Sequence, residues 1–249
     1  IFVDEFQFIV SDSAFRGQDW LGVNQLPTLA PVNKVEVVYL TACFPISGRK
    51  EIYEKLNILN EECVDLYYDN ACDILAQYDH KISVHDMQDE LAAVLRMLLD
   101  VNNNKYVTHV ICRSISGAQT LYEELRRNQT GKCGLITGQC DSNDVKAILS
   151  RWTGGDLSTL ITTSTAVAGI DSSHVNRVIF YGLPYSLMYI HQGVGRLRQR
   201  GSVEFVVDIP SNLDLDSISP SIFSEEMVTK WLVDKSCRVK RFNRLFSGG

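Results

Sequence analysis

Short apolar runs alternate with amphipathic segments between Val107 and Asp208, and this alternation constrains the fold of the 249-residue chain more than any other feature. Strands that alternate with helices indicate βαβ units and a parallel sheet. Buried parallel strands are apolar throughout, as residues 178–180 and 205–207 are. The pattern therefore predicts an α/β fold. The predicted strands are Val107–Cys112, Cys133–Thr137, Ser158–Thr163, Val175–Tyr181 and Val203–Asp208, and the predicted helices are Ile115–Asn128, Ser142–Trp152 and Leu187–Arg198.

Upstream of this region the pattern is weaker. We predict strands at residues 1–3 and Val35–Leu40, and a helix at Lys50–Leu59. The clearest helix is Asp86–Leu99, because its apolar residues recur at helical spacing and Asp86 can serve as the N-cap. Between residues 60 and 85 the sequence is acidic and weakly patterned, which is compatible with a strand flanked by loops.

The composition limits the functions that the chain can have. Its net charge of −6 argues against a free-standing nucleic-acid binder, because such proteins carry a basic face. No apolar run approaches the ~18–20 residues of a membrane span, and no secretory signal opens the chain. Seven cysteines without a C-x-x-C pair predict reduced thiols rather than a closed zinc site. Basic residues cluster in two places, Arg196, Arg198 and Arg200 in one, and Lys235, Arg238, Lys240, Arg241 and Arg244 in the other.

Three polar segments interrupt the alternating region. Residues 109–114 have the sequence HVICRS, residues 163–171 TSTAVAGID, and residues 192–196 QGVGR. Their order and separation resemble motifs IV, V and VI of superfamily 2 helicases. The resemblance is strongest to the RecQ-like DNA helicases, including divergent members from fungal genomes. It implies a RecA-like P-loop NTPase fold, in which a parallel sheet flanked by helices forms the second helicase domain. It also implies an ATP-dependent helicase that moves 3′→5′ along DNA and unwinds it at junctions of single and double strands.

Segments near the start of the chain resemble parts of the first helicase domain. Residues 3–7 (VDEFQ) resemble the D-E-x-H box of the Walker B motif, with Gln7 in place of the His. Residues 12–16 (DSAFR) resemble the D-F-R stretch of RecQ-like proteins, and residues 40–42 resemble motif III, with Cys43 in its last position. The alternative for residues 4–5 is a surface acidic pair at a strand end.

The resemblance also implies a role for each motif. In the intact motor, ATP lies between two RecA-like domains, Mg²⁺ and water are held by carboxylates, and arginines reach the γ-phosphate. Nucleic acid is held by its phosphates, which fix register without reading sequence. The implied catalytic residues are Asp4 (which also holds Mg²⁺), Glu5, Gln192, Arg196, Arg198 and Arg200; the implied ATP-binding residues are Asp4, Glu5, Gly169, Asp171 and Arg196; and the implied DNA-binding residues are Arg16, Arg113, Ser114, Thr163 and Ser164.

Two departures from the family pattern bear on activity. The last arginine of motif VI falls on Gln199, which carries no charge, so hydrolysis depends on Arg198 or Arg200. A shift of one residue on a helix rotates a side chain by about 100°, so neither arginine replaces it automatically. The chain also lacks G-x-x-x-x-G-K-[ST], the loop that cradles phosphates in such motors. We therefore expect the isolated chain neither to bind ATP tightly nor to hydrolyse it.

The resemblance divides the chain into three parts. Residues 1–48 are expected to end a first RecA-like domain, residues 49–210 to form the second, and residues 211–249 to begin a RecQ-type zinc-binding extension. The rest of the first domain would be a partner in cis. Cys237 resembles the first Zn²⁺ ligand of that extension, but a tetrahedral site needs four ligands, so in this chain a free thiol is the simpler interpretation. A nuclear location follows from the resemblance alone.

Every motif also has a purely structural interpretation, which keeps other functions open. Residues 163–171 fit a plain crossover between strands, and the arginines after residue 195 fit a solvated helix end. The second hypothesis is therefore a degenerate, non-catalytic helicase-like domain that binds nucleic acid or protein. The third is a decayed gene fragment. Salt-dependent DNA binding that ATP does not change favours the second hypothesis, and a non-cooperative melt favours the third.

Overall fold

The computed structural model describes residues 1–4, 6, 25–33, 35–41, 45–58, 80–100, 106–128, 132–163, 170, 174–209 and 221–247. The chain forms two compact units. One comprises Ile74–Tyr185 and Tyr189–Ser217, and we call it the sheet unit; the other comprises Ile1–Asp73, Ser186–Met188 and Ile218–Gly249, and we call it the terminal unit. The predicted boundaries at residues 48 and 210 stay predictions. None of the helices in the described ranges combines the length and the apolar character that a membrane crossing requires.

The described strands and helices follow one another in the alternating order that the sequence predicts. The strands are β1 (Phe2–Val3), β2 (Val38–Tyr39), β3 (Lys81–Asp86), β4 (Thr108–Cys112), β5 (Cys133–Ile136), β6 (Thr159–Thr163), β7 (Arg177–Tyr181) and β8 (Ser202–Val207). The α-helices are α1 (Leu26–Val32), α2 (Arg49–Leu56), α3 (Glu90–Leu99), α4 (Ile115–Arg127), α5 (Ser142–Thr153), α6 (Leu187–Val194), α7 (Glu225–Val233) and α8 (Arg238–Ser247).

A six-stranded parallel sheet forms the centre of the sheet unit. Its strand order is β3-β8-β7-β4-β6-β5, and every pair of neighbours is parallel. All five strands predicted after residue 107 are present, which confirms the α/β fold. The remaining strand, β3, ends the acidic stretch where the sequence pattern is weak. It lies at one edge of the sheet, where burial on both faces is not required and the apolar signal is therefore diluted.

Both faces of the sheet are covered by apolar side chains. On one face, Val110, Ile161, Ile179 and Val206 pack with buried residues of α3 and α4. On the other, the rings of Phe180 and Phe205 stack with their centroids 4.8 Å apart. Helix α4 has the inward-facing residues that its periodicity predicts, and these are buried: Ala118, Leu121 and Leu125.

Helix ends differ from the prediction at three places. The N-cap of α3 is Asp89, which accepts a hydrogen bond from Ala92 N, and not Asp86, which lies in β3. The N-cap of α5 is Asp141, although a serine at the predicted start, Ser142, could also have served as the cap, and the backbone N–H groups of Asp144 and Asn143 lower the pKa of Asp141. Helix α6 ends at Val194, before the predicted end at residue 198. Periodicity locates a helix but leaves its ends open by a few residues.

The terminal unit contains a parallel strand pair and a helical cluster. Strands β1 and β2 pair with Phe2 opposite Val38 and Val3 opposite Tyr39. In the cluster, the rings of Phe242 and Phe246 of α8 stack, and Trp231 of α7 meets Phe242 edge-on. All three rings are fully buried, so α7 and α8 are held together by aromatic packing.

Candidate functional site

The residues of the predicted motifs IV and V meet at the carboxyl edge of the sheet. Strands β6, β4 and β7 are neighbours, and their last residues, Thr163, Cys112 and Tyr181, lie opposite one another in the register. Whatever follows these residues is therefore displayed at one edge. In open α/β sheets, ligands bind outside the carboxyl ends of the strands. The parallel register thus assembles Arg113, Ser114 and Thr163 as the resemblance implies.

Arg113 is held in place by the loop that follows β7. Its Nη1 donates to the carbonyl of Leu183 at 2.9 Å, and its guanidinium lies 4.8 Å from the ring centroid of Tyr185. The Tyr185 hydroxyl in turn donates to the carbonyl of Arg113 at 3.0 Å. Gly182 has a φ of +84°, and a Cβ there would lie 2.9 Å from Arg113 Cβ. The glycine therefore permits both the turn and the close approach of the arginine.

Tyr185 is a site residue that the sequence analysis missed. It is partly exposed beside Arg113 and contacts Tyr189 edge-on, with ring centroids 6.0 Å apart. The only sequence signal is an aromatic residue directly after the Pro184 that ends the strand-to-helix connection. That signal is weak, because contact with Arg113 depends on the register of two strands far apart in the sequence.

Ser114 has a structural role of its own. Its Oγ accepts a hydrogen bond from Gly117 N at 3.0 Å, which makes Ser114 the N-cap of α4. The side chain is exposed, so the cap and a phosphate contact are compatible, but the cap alone explains a serine at this position. A test of Ser114 must therefore separate helix stability from binding.

Thr163 is buried, and its hydroxyl has no hydrogen-bond partner among the described residues. A buried hydroxyl that lacks a partner is costly, so a partner supplied by a ligand or by the following loop is expected. That loop contains Ser164 and Gly169 and leads to Asp171; all three lie outside the described residues.

Motif VI follows α6 on the opposite face of the sheet from α4. Arg196 Nη1 donates to the carbonyl of Ile170 at 2.5 Å, so it contacts the residue just before Asp171. Gln192 is buried, and its Oε1 has no hydrogen-bond partner within the described ranges. The register and this contact bring motif VI to the end of the motif V loop, as the resemblance implies.

His109 is a buried neighbour of Arg196. Its Nε2 lies 2.9 Å from Thr162 Oγ1, and the ring is almost entirely inaccessible to solvent. Burial, together with the positive charge of Arg196, lowers the pKa of His109 to about 3. The imidazole is therefore neutral at physiological pH and adds no charge beneath the arginine.

Arg198 and Arg200 lie beyond the end of α6 and are exposed, as is Gln199 between them. The predicted helix through Arg198 is therefore wrong at its end, and the 100° rotation expected between neighbouring helical residues does not apply to this segment. An irregular backbone does not fix which of the two arginines faces a ligand.

Asp4 lies in the turn directly after β1 and is exposed. Leu40 and Thr41 directly follow β2, the parallel neighbour of β1, so the predicted Walker B and motif III segments leave one strand pair at the same end. An exposed carboxylate at a strand end suits hydrated Mg²⁺. Its predicted companion Glu5, and also Gln7, Arg16 and Cys43, lie outside the described residues.

Cys237 is exposed immediately before α8. In the part of the chain that the structure describes, no group of three or more His, Cys, Asp or Glu side chains is arranged to hold a metal. The predicted Zn²⁺ role of Cys237 thus has no ligand set among these residues.

Carboxylates flank the arginine at the sheet edge. Glu90, at the start of α3, accepts a hydrogen bond from Asp208 N at 2.8 Å. Burial raises the pKa of Glu90, while the Asp208 backbone N–H and the nearby Arg113 act in the opposite direction. Burial likewise raises the pKa of Tyr181, and Cys112 and Glu90 contribute to the same shift. The negative charge of Glu90 therefore partly offsets the positive charge of Arg113, which limits how many phosphates this edge can hold.

Comparison with known proteins shows what this part of the chain is similar to. Residues 89–201 match the family model of the helicase conserved C-terminal domain. The chain is 31% identical over 117 residues to the ATP-dependent RNA helicase dbp6 of Schizosaccharomyces pombe (strain 972 / ATCC 24843), covering 44% of this chain and 19% of that protein. It is 32% identical over 103 residues to Eukaryotic initiation factor 4A of Cryptosporidium parvum, covering 40% of this chain and 25% of the relative.

The fold has a counterpart among solved structures. The DEAD-box helicase Mss116 bound to ssRNA and UDP-BeF superposes with a TM-score of 0.62 at 14% identity, covering 82% of this chain and 43% of that one. Identity this low supports a shared fold only.

The match to the helicase C-terminal domain thus contains the predicted motifs IV to VI, and the similarity to the solved structure shows a shared RecA-like fold. The chain spans between 19% and 25% of the length of the curated relatives it matches. These matches do not extend to the RecQ-like subgroup, to a DNA substrate or to a 3′→5′ direction of movement.

Proposed function

We propose that this chain is the second half of an ATP-dependent motor that holds one nucleic-acid strand by its phosphates and moves along it. The observation that carries the proposal is the register of β6, β4 and β7, in which Thr163, Cys112 and Tyr181 form one row, so that Arg113 directly follows this row at the carboxyl edge. The Arg113 guanidinium, which Leu183 and Tyr185 hold at this edge, offers a positive charge to a phosphate oxygen.

The nucleotide half of the proposal rests on Arg196. Its Nη1 donates to the carbonyl of Ile170, the residue just before Asp171 at the end of motif V. When ATP and Mg²⁺ are bound by a complete motor, the γ-phosphate would compete for this guanidinium. Transfer of Arg196 from the loop to the phosphate would couple nucleotide binding to the loop that touches the strand. Asp4 would face the Mg²⁺ ion from the first domain.

The kind of nucleic acid is the finer part of the proposal. The resemblance to RecQ-like proteins favours DNA and 3′→5′ movement, and it also carries the nuclear location and the Zn²⁺ extension. The 31% identical relative is named as an RNA helicase, which favours RNA. A protein that grips phosphates alone does not distinguish the two, whereas one that also contacts the 2′-hydroxyl does.

The experiment is a binding titration of the 249-residue chain with fluorescein-labelled single strands of DNA and RNA of one sequence. Arg113→Ala is the test variant, and Arg127→Ala is its control, because Arg127 is an exposed arginine at the far end of α4. We expect Arg113→Ala to weaken binding and Arg127→Ala to leave it unchanged. Equal affinities for the three chains would contradict the proposed strand site.

A non-catalytic binding module is the second candidate, and the exposed Gln199 in motif VI favours it. The two candidates differ in what ATP does. In a longer reading frame that supplies a phosphate-binding loop, a motor hydrolyses ATP faster when a strand is present, and Arg196→Ala abolishes that stimulation. A binding module holds the strand with the same affinity with or without ATP·Mg²⁺.

A further inference from the structure

The terminal unit contains a basic cleft that none of the helicase motifs uses. It has a volume of about 480 Å³ and lies along α8 and the turn that precedes it. The residues that line it are Asp234, Ser236, Cys237, Lys240, Arg241, Arg244 and Leu245. In the sequence this run is one of the two basic clusters and resembles the beginning of a zinc-binding extension.

Among the described residues, the charges that line this cleft are only partly balanced. Arg241 pairs with Asp234, and Arg238 donates to the carbonyl of Leu232, so these two arginines have structural partners. Lys240 and Arg244 are exposed and make no ion pair within the described ranges. They stand four residues apart on one helix face, where like charges repel. An anion bound in the cleft would attract both cationic side chains and so offset their repulsion.

The packing beneath the cleft makes it a fixed surface. The opposite side of α8 buries Phe242 and Phe246, which stack on each other, and Trp231 meets Phe242 edge-on. Ser47 Oγ also donates to the carbonyl of Leu245 at 2.7 Å. The basic side chains therefore project from a helix that is anchored on its other face, and the positions of their Cα atoms are set before a ligand binds.

The lining also limits what the anion can be. Of the lining residues that the structure describes, Leu245 is the single apolar one and none is aromatic, so a nucleobase finds no ring among them to stack on. Cationic groups and one hydroxyl are suited to phosphate oxygens. We infer that this cleft is a second phosphodiester-binding site, which holds the backbone of a nucleic-acid strand outside the helicase motifs. The choice of nucleic acid as the polyanion rests on the proposed function.

The first test is the salt dependence of strand binding by the 249-residue chain. Lys240→Gln/Arg244→Gln should weaken binding about tenfold and reduce the slope of log K against log[salt] by about 1.4, since each phosphate of a single strand contributes ~0.7. The charge-preserving swap Lys240→Arg/Arg244→Lys should bind as the parent does. Lys146→Gln/Arg151→Gln is the matched control, because both residues are exposed on α5 in the sheet unit.

A second readout locates the strand without any mutation. Cys237 is an exposed thiol on the cleft wall, so alkylation by iodoacetamide, followed by peptide mass spectrometry, reports whether the cleft is covered. A bound strand should protect Cys237 several-fold in the parent chain and leave it reactive in Lys240→Gln/Arg244→Gln. Thermal melts of all variants confirm that they are folded.

The outcomes separate this inference from the proposed function. If Arg113→Ala weakens binding while the cleft variant and Cys237 reactivity are unaffected, the cleft inference is wrong and the motor proposal stands. If the cleft variant alone weakens binding, the inference holds and the sheet-edge site is contradicted. Absence of strand binding by the parent chain overturns both. A fluorescein-labelled decaglutamate peptide that binds as tightly, with the same loss in the cleft variant, overturns the phosphate assignment in favour of an acidic protein partner.

Discussion

At the residue scale, Gly193 sets how closely motif VI can approach the sheet. A Cβ at this position would lie 2.6 Å from both Ile111 Cδ1 and Phe180 Cζ, in a core without spare volume. We expect Gly193→Ala to lower the free energy of unfolding by about 1–3 kcal/mol, because overpacking displaces the helix or the strands. Urea denaturation measures this loss. Gly138→Ala is the control, since a Cβ there meets no atom within 4 Å, and comparable losses in both variants would contradict the packing argument.

His109 predicts how stability depends on pH. Its pKa is about 3 in the folded protein, because burial and the charge of Arg196 oppose protonation, and near 6.5 when unfolded. Between pH 3 and pH 6.5, His109 is protonated in the unfolded chain but not in the folded protein, so lowering the pH favours unfolding. The stability present above pH 6.5 should fall by about 1.4 kcal/mol per pH unit on acidification towards pH 3.

The variant His109→Gln isolates this contribution. A glutamine keeps a polar group beside Thr162 but does not bind a proton. Between pH 6 and pH 4.5, the free energy of unfolding of His109→Gln should therefore change less with pH than that of the parent chain, by about 1.4 kcal/mol per pH unit, the equivalent of one proton. Other titrating groups, such as Glu90 with its raised pKa and Asp141 with its lowered pKa, are common to both chains and cancel in the difference. Urea titrations at several pH values measure it. Parallel pH profiles for the two chains would sink the assignment.

Single residues differ in how far the sequence predicts their role. Arg113 could be placed at the sheet edge because it directly follows an apolar strand, and chain order alone determines that position. Its attachment to Leu183 and Tyr185 could not, because the contact joins residues about seventy positions apart through the register of β4 and β7. The hydrophobic periodicity of a sequence indicates helices and strands, but it does not give the order of the strands in the sheet.

At the scale of elements, the sheet and its helices were predictable, while the helix ends were less so. The N-cap of α3 illustrates the reason: Asp86 and Asp89 are both good capping residues, and periodicity does not choose between them. Strand β3 decides the matter, because Asp86 pairs with Val207 in the sheet and its carboxylate accepts from Ile209 N. Because the hydrophobic pattern of β3 is weak, the sequence did not show that this strand contains Asp86.

Helix α4 allows its cap to be separated from ligand binding. Ser114→Ala should cost about 1 kcal/mol of stability because Gly117 N loses its acceptor, whereas Ser114→Asp keeps an acceptor and the favourable charge at the helix start. If a phosphate lies at this edge, Ser114→Asp should nevertheless weaken strand binding. Chemical denaturation and fluorescence anisotropy measure the two effects. Unchanged binding by a stable Ser114→Asp chain would leave Ser114 with the capping role alone.

At the scale of the whole molecule, the proposed function assigns the strand-binding and arginine side of a motor to this chain, whose sequence contains no phosphate-binding loop. Positive charge is restricted to separate patches, because Arg113 is flanked by Glu90 and the net charge is −6. Affinity for a polyanion should therefore come from a few contacts and not from a general field. The sequence predicted both basic clusters; that one of them lines a cleft depended on how α7 and α8 pack.

The 249-residue chain should therefore bind a single strand without turning over ATP. The arginines of such a site accelerate ATP hydrolysis only when the γ-phosphate and Mg²⁺ are held in place. The backbone and the lysine of the P-loop supply most of the contacts that hold them. We expect phosphate release at the background rate with or without a strand, and strand affinity that ATP·Mg²⁺ leaves unchanged, measured by a coupled phosphate assay and anisotropy. The control is a longer reading frame that supplies G-x-x-x-x-G-K-[ST], in which turnover should appear and depend on Arg196. Strand-stimulated hydrolysis by the chain alone would mean that another segment binds the triphosphate, and the division of labour proposed between the two domains would be wrong.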